Sequence, residues 1–384
     1  MKKGLLIRFG FLAGLFALVA AGCGGHGPDR RPCAEDLPCL PPAVNACQDR
    51  NLSLNRWTSL GLENERVSAI AVHPCNPGII YAGTSRDFSA GVRGKLFKSA
   101  DCGQTWDTLA VGGSYRTIQF SPGNPEVIYA VNGGILKSTD SGASWQRADE
   151  GIHIDAETGV SALAINPRKA CTIYAGTGGF YGGGLYKSTD AGAGWRLVEG
   201  KGLEDLGNNM NRLDSGVSSL AINPADPDHM YVGTAQLGDV LRSTDGGDSW
   251  ETTGLKDTGS SVNALLVNSE NNRKLYTGLD RAGLHISRDS GRSWKLITNE
   301  FLADTTSVVE LEVGSKNGTL YVATAYGDSG SLLACDLSND TWKELPVPVT
   351  DKSFYYSKLK VHEFGDKVYL YFGLPSGIYA RIEE

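Results

Sequence analysis

The chain has 384 residues, of which 21% are charged, 41% hydrophobic and 9% aromatic, a composition that supports a folded protein and excludes a mainly disordered one. Its 36 basic and 43 acidic residues leave a net charge of −7 with no basic tract, which counts against nucleic acid as a partner. Glycine, at 49 residues, is about twice its usual share and has no Gly-X-Y period, so many tight turns are expected rather than collagen.

In chain order, Lys2, Lys3 and Arg8 precede an apolar run from Phe9 to Ala21 that is too short to span a membrane as a mature helix. Residues 1–22 therefore read as a signal peptide. The segment closes Ala20-Ala21-Gly22-Cys23, which resembles the lipobox of bacterial lipoproteins and implies acylation of Cys23; plain secretion is the alternative. Residues 23–50 carry Pro28, Pro32, Pro38, Pro41 and Pro42 among polar residues and read as a tether, interrupted by Cys33, Cys39 and Cys47. The expected location is the bacterial cell envelope, on the periplasmic side or the cell surface, with the membrane reached through the lipid alone.

The remainder is periodic. Seven tryptophans (Trp57, Trp106, Trp145, Trp195, Trp250, Trp294, Trp342) are spaced by 49, 39, 50, 55, 44 and 48 residues, the length of a propeller blade. Five of them close an octapeptide Ser-x-Asp-x-Gly-x-x-Trp, with Asp101, Asp140, Asp190, Asp245 and Asp289 at its third position. Asp offers its carboxylate to turn amides, Gly accepts a positive φ and Trp packs between sheets, so the octapeptide reads as a structural hairpin staple. Ahead of each one, an alternating strand such as Val67 to Val72 or Val217 to Ile222 runs into an Asn/Pro turn. A second strand follows, marked by Tyr81-Ala82-Gly83-Thr84, Tyr174-Ala175-Gly176-Thr177 or Tyr231-Val232-Gly233-Thr234, and then a third.

On these residues the chain resembles the Asp-box, or bacterial neuraminidase repeat, propellers over residues 51–384. The expected fold is all-β: a single seven-bladed β-propeller of four-stranded antiparallel blades. Residues 357–384 supply three strands without an octapeptide, and Trp57 to Leu60 supplies a fourth without one before it, so the N-terminal strand is expected to close the ring by joining the last blade. The expected limits are 66–111, 115–148, 159–198, 216–254, 261–298, 307–346, and 357–384 with 54–60. In blade six, Cys335, Leu337 and Asn339 replace Ser, Asp and Gly, and Asn339 is expected to take the left-handed conformation. Inner-strand positions that are small in other blades become Glu310 and Lys358, with Glu312 and Lys360 two residues on. A Glu/Lys cluster is expected there, either fixing blade order or lining a ligand channel.

Export favours paired thiols. Cys33, Cys39, Cys47, Cys75, Cys102 and Cys335 are the disulfide candidates, with 33–39, 75–102 and 47–335 as one consistent scheme and Cys171 left over. No Cys-x-x-Cys or Cys/His spacing suggests a metal, and no cofactor is expected.

Function is expected on the longer loops, where Arg86, Asp87, Phe88, Arg93, Phe180, Tyr181, Asn209, Arg212, Tyr326 and Tyr355 form a candidate partner-binding face. Within the family, sialidases share the octapeptides, but neither an Arg-Ile-Pro motif nor an arginine triad is found. Xyloglucan-cleaving enzymes use two propellers with an Asp pair across the cleft between them, and this chain supplies one. Photosystem II assembly and stability factors look similar in size and single-propeller form, without their basic patch. The resemblance implies a non-enzymatic scaffold or assembly factor with a protein partner. The alternative is a polysaccharide-binding module or glycoside hydrolase using carboxylates such as Asp87, Asp155, Asp205 or Asp280.

Overall fold

The computed structural model describes residues 52–86, 91–155, 157–179, 182–203, 212–269, 271–326, 329–348, 354 and 357–383. The signal segment, Cys23, the tether with Cys33, Cys39 and Cys47, and the loop residues Asp87, Phe88, Phe180, Tyr181, Asp205, Asn209 and Tyr355 lie outside them.

Apart from a 3-10 turn at Arg212–Ser215, the regular structure described is strand. Blade one comprises Val67–His73, Asn76–Thr84, Lys95–Ser99 and Asp107–Val111. Blades two to six repeat that order within 117–147, 158–197, 217–252, 262–297 and 307–345. Blade seven takes Lys358–Phe364, Lys367–Leu374 and Gly377–Glu383, and Thr58–Ser59 completes it by pairing with Ala380 and Tyr379. The result is seven antiparallel four-stranded blades in a ring, with the closure and the blade limits as expected. Inner strands touch from each blade to the next, the seventh meeting the first.

The repeat in the sequence becomes a repeat in the core. Tyr81, Tyr129, Tyr174, Tyr231, Tyr276, Tyr321 and Tyr371 stand at the same place on each second strand, all buried. Two residues after the tyrosine, a glycine or alanine in every blade but the second, which has Val131, lets the next inner strand approach. A Cβ added at Gly278 would lie 2.3 Å from Val308 Cγ1, and one at Gly373 would lie 2.6 Å from Val67 Cγ1 across the closing seam. Most inner strands carry a bulge near their start. Its extra residue reaches across to the neighbouring blade: Ser68 donates to Tyr115 O at 2.7 Å, Ser218 to Val262 O at 2.7 Å and Asn263 to Val308 O at 3.2 Å. Bulges free a side chain from the ladder, and here it joins blade to blade.

At the seam of blades six and seven the bulge residue is Val309, which has no donor, and ion pairs take over. Lys358 Nζ lies 2.6 Å from Glu310 and Lys360 Nζ 2.8 Å from Glu312. Burial alone would lower the Lys358 pKa, but the Glu310 and Glu312 carboxylates outweigh it and hold the ammonium charged above its usual range. The expected cluster is therefore present as pairs that join two particular blades.

Two expectations are corrected. In the sixth hairpin the left-handed residue is Asp340, φ 56°, and not Asn339, because Asp336 pairs with Thr341 and the turn between them is shorter than an octapeptide. Cys335 is a free thiol, so the 47–335 pairing is not formed, while Cys171, expected to be left over, is disulfide-bonded, as are Cys75 and Cys102. Cys335 lies on a buried strand facing the seam with blade five, at 2% exposure, and not at the turn surface.

Candidate binding face

The five octapeptide aspartates are each engaged by their own turn. In the first, Ser99 Oγ donates to Asp101 Oδ1 at 2.8 Å and accepts from the Gly103 amide at 2.8 Å. Asp101 Oδ1 then accepts from the Gln104 and Thr105 amides at 2.9 Å, and Oδ2 accepts from the Thr105 hydroxyl. Asp140, Asp245 and Asp289 repeat this with Ser144, Ser249 and Ser293, and these hydroxyl bonds draw each carboxyl down to about 2. At Asp101 burial pushes upward, but the Thr105 and Ser99 bonds prevail and the value is again about 2. Gly194 has no hydroxyl to offer Asp190, which keeps the amide bonds. Carboxylates so occupied build turns and are unfit for proton transfer.

Strand order puts the box turns on one face of the ring and the second-to-third loops and blade connections on the other. On that second face a cavity of about 510 Å³ spans blades one to three. Arg86 enters from the loop after blade one's second strand, Arg116 from the start of blade two's inner strand and Arg147 from blade two's outer strand. Arg116 occupies the bulge position held by Ser68, Ser161, Ser218 and Asn263 in other blades, so its exposed guanidinium projects where those side chains tie blades together. Arg147 pairs with Asp149 at 2.7 Å. The pair lies against bare backbone: a Cβ on Gly134 would come within 2.2 Å of Asp149 Oδ2 and 2.5 Å of the Arg147 guanidinium. Opposite, Asp155 accepts from the Glu157 and Thr158 amides at 2.8 and 2.6 Å, which hold its carboxyl below the usual range, and meets His153 Nε2 at 3.2 Å. Gly133, Gly159 and Gly178 expose further main chain to the cavity.

Of the loop residues expected to meet a partner, Arg86 lines this cavity and Arg93 is exposed on the same loop. Tyr326 ends blade six's second strand, Thr319–Tyr326. Arg212 is not on the surface: at 4% exposure, its guanidinium reaches Asp239 at 2.6 Å and Asp257 at 2.8 Å, an internal clamp around the 3-10 turn. Asp280 accepts the Ser307 hydroxyl at 2.7 Å. Sequence reasoning missed Arg116 and Arg147. The signal for Arg116 was its departure from Ser or Asn in the aligned bulge; Arg147 carried none. Among the described residues no three His, Cys, Asp or Glu side chains converge as metal ligands would.

No known protein-family profile matches the chain. Over 168 residues, 34% of the chain, it is 32% identical to a xyloglucanase of Paenibacillus sp, of which the match covers 16%. Over 167 residues it is 28% identical to the xyloglucanase Xgh74A of Acetivibrio thermocellus, covering 20% of that protein. The chain thus spans a fifth or less of these curated relatives. Among solved structures, a GH74 xyloglucanase from Xanthomonas campestris superposes with TM-score 0.64 at 17% identity, over 85% of this chain and 55% of that one. YCF48 from Cyanidioschyzon merolae superposes with TM-score 0.55 at 17% identity, over 85% and 98%. A structure described as YCF48 bound to D1 peptide gives 0.56 at 17% identity, over 87% and 98%. The common element is the fold. This chain is a seven-bladed β-propeller like those of GH74 xyloglucanases and YCF48.

Proposed function

We propose that the protein is a non-enzymatic scaffold that holds a protein partner against the loop-face cavity of blades one to three, anchored in the bacterial envelope through Cys23. The observation that carries this reading is the cavity's lining: three arginines and exposed glycine main chain, with Asp155 engaged by turn amides beside Glu157 and no aromatic ring among the described lining residues. Arginine forks and exposed main chain suit the carboxylates and carbonyls of a peptide segment. Glycoside hydrolysis asks for a protonated carboxyl and a second one about 5–10 Å away, and Asp155 is held ionised. YCF48, seen with the D1 peptide, offers a precedent for a peptide on this fold.

A second reading, binding or cleavage of polysaccharide, is favoured by the sequence identity to xyloglucanases. The deciding experiment is mild crosslinking in native membranes followed by affinity capture and mass spectrometry, comparing wild type with Arg86→Glu/Arg116→Glu. One protein captured at least fivefold better by wild type is the expected result. With no such protein, and with reducing ends released from xyloglucan, the scaffold reading fails and the second replaces it.

A further inference from the structure

At four seams of the ring one small device recurs. A blade's second-strand tyrosine and the cation paired with it on the third strand both donate to a single turn carbonyl in the next blade's octapeptide. Tyr81 and Lys98 reach Ser141 O at 2.6 and 3.0 Å, and Tyr129 and Lys137 reach Ala191 O at 3.0 and 2.8 Å. Tyr174 and Lys187 reach Gly246 O at 2.6 and 2.7 Å, and Tyr231 and Arg242 reach Ser290 O at 3.4 and 3.0 Å.

At the fifth seam the device is incomplete. Ile286 faces Tyr276 where the first four blades have Lys or Arg. The octapeptide of blade six is replaced by the tight hairpin around Asp340. Tyr276 is 1% exposed and, unlike the four tyrosines above, its hydroxyl reaches no acceptor. Burial raises its pKa to about 12, with the neighbouring Asn268 amide offsetting part of the rise, so at neutral pH it is a donor without an acceptor. A buried donor in that condition is costly until an acceptor is supplied.

Tyr276 lines a cavity of about 240 Å³ between blades five and six. Leu320, Leu337 and Trp342 form apolar walls, with the free Cys335 thiol beside them. Lys274, Arg288 and Lys295 stand around it against one carboxylate, Asp340, which lies 3.8 Å from Arg288 with both groups largely in solvent. The site combines a buried donor, a cationic excess and an apolar interior with room for a ring or a short alkyl chain.

We propose that this seam binds a small carboxylate-bearing organic molecule, one carboxylate oxygen accepting from Tyr276 in place of the turn carbonyl used at the first four seams. The cations at the rim neutralise the ligand's charge, and its apolar body fills the space that the octapeptide leaves. This site is separate from the loop-face cavity, since it opens between blades five and six.

The test is isothermal titration of the purified full chain with sodium benzoate and with sodium hexanoate, against sodium sulfate at matched ionic strength. Saturable one-to-one binding of a carboxylate is expected, weakened about tenfold or more in Tyr276→Phe through loss of a hydrogen bond to a charged group. Tyr231→Phe, whose hydroxyl already has the Ser290 carbonyl, should bind as wild type does. The proposal is overturned by absence of saturable binding, the result expected of a cavity holding only water. Equal binding of sulfate, or unchanged affinity in Tyr276→Phe, overturns it as well.

Discussion

Each octapeptide aspartate gains its hydrogen bonds only when its turn is formed, so its folded pKa falls below the unfolded value of about 3.9. A group lowered on folding stabilises the fold above its unfolded pKa and loses that contribution as pH falls through the folded one. With Asp101, Asp140, Asp245 and Asp289 at about 2, stability is expected to decline between about pH 4 and pH 2, with the four turns acting in concert. Acid unfolding followed by tryptophan fluorescence should show this, and Asp245→Asn should both lower stability at pH 7 and flatten the acid limb. These turns were legible in the sequence because every partner lies within eight residues. The surroundings of Arg212 were not: its loop reads as polar surface, and the two aspartates that bury its guanidinium come from positions 27 and 45 residues later in the chain.

Between strands, packing sets tighter limits than hydrogen bonding does. Gly278→Ala would place a methyl 2.3 Å from Val308 Cγ1 and 2.7 Å from its Cβ, and Val308 is fully buried on a neighbouring inner strand. Overpacking of this kind is expected to cost about 1–3 kcal/mol, measurable as a lowered denaturant midpoint with an unchanged m-value. Lys358→Met should destabilise by a similar amount, about 1–3 kcal/mol, by leaving the half-buried Glu310 without its counterion. Adding Glu310→Leu should restore much of the loss, which a purely apolar role for the lysine stem would not do. The blades were readable because each repeats the same strand and turn chemistry within about 40–50 residues. The loop-face cavity was not, since it exists only where three blades converge and its arginines are scattered along 62 residues, from Arg86 to Arg147.

For the molecule as a whole, closure rests on a short strand. Thr58 and Ser59 pair with blade seven, and Trp57 fixes them by donating to Pro346 O at 2.6 Å and by lying over Phe372 at 5.9 Å. Trp57→Ala is expected to lower the thermal midpoint by several degrees, roughly the effect of losing 2–3 kcal/mol in a protein of this size. Calorimetry should also show the transition broadening, because a ring without its clasp lets blades one and seven separate before the rest unfolds. The closing partner was legible from simple subtraction, three strands at one end and a spare strand at the other; the ion pairs that single out the neighbouring seam needed only the aligned inner strands.

The same clasp decides how the protein bears tension. A pull delivered through the segment that precedes Leu52 enters the ring at its two-residue strand, and the adjoining blade is held to blade six by Lys358 and Lys360. Stretched from that side, the molecule should therefore yield first by peeling blade seven, as a discrete event at low force, while the other six blades stay folded and the arginine-lined face of blades one to three keeps its shape.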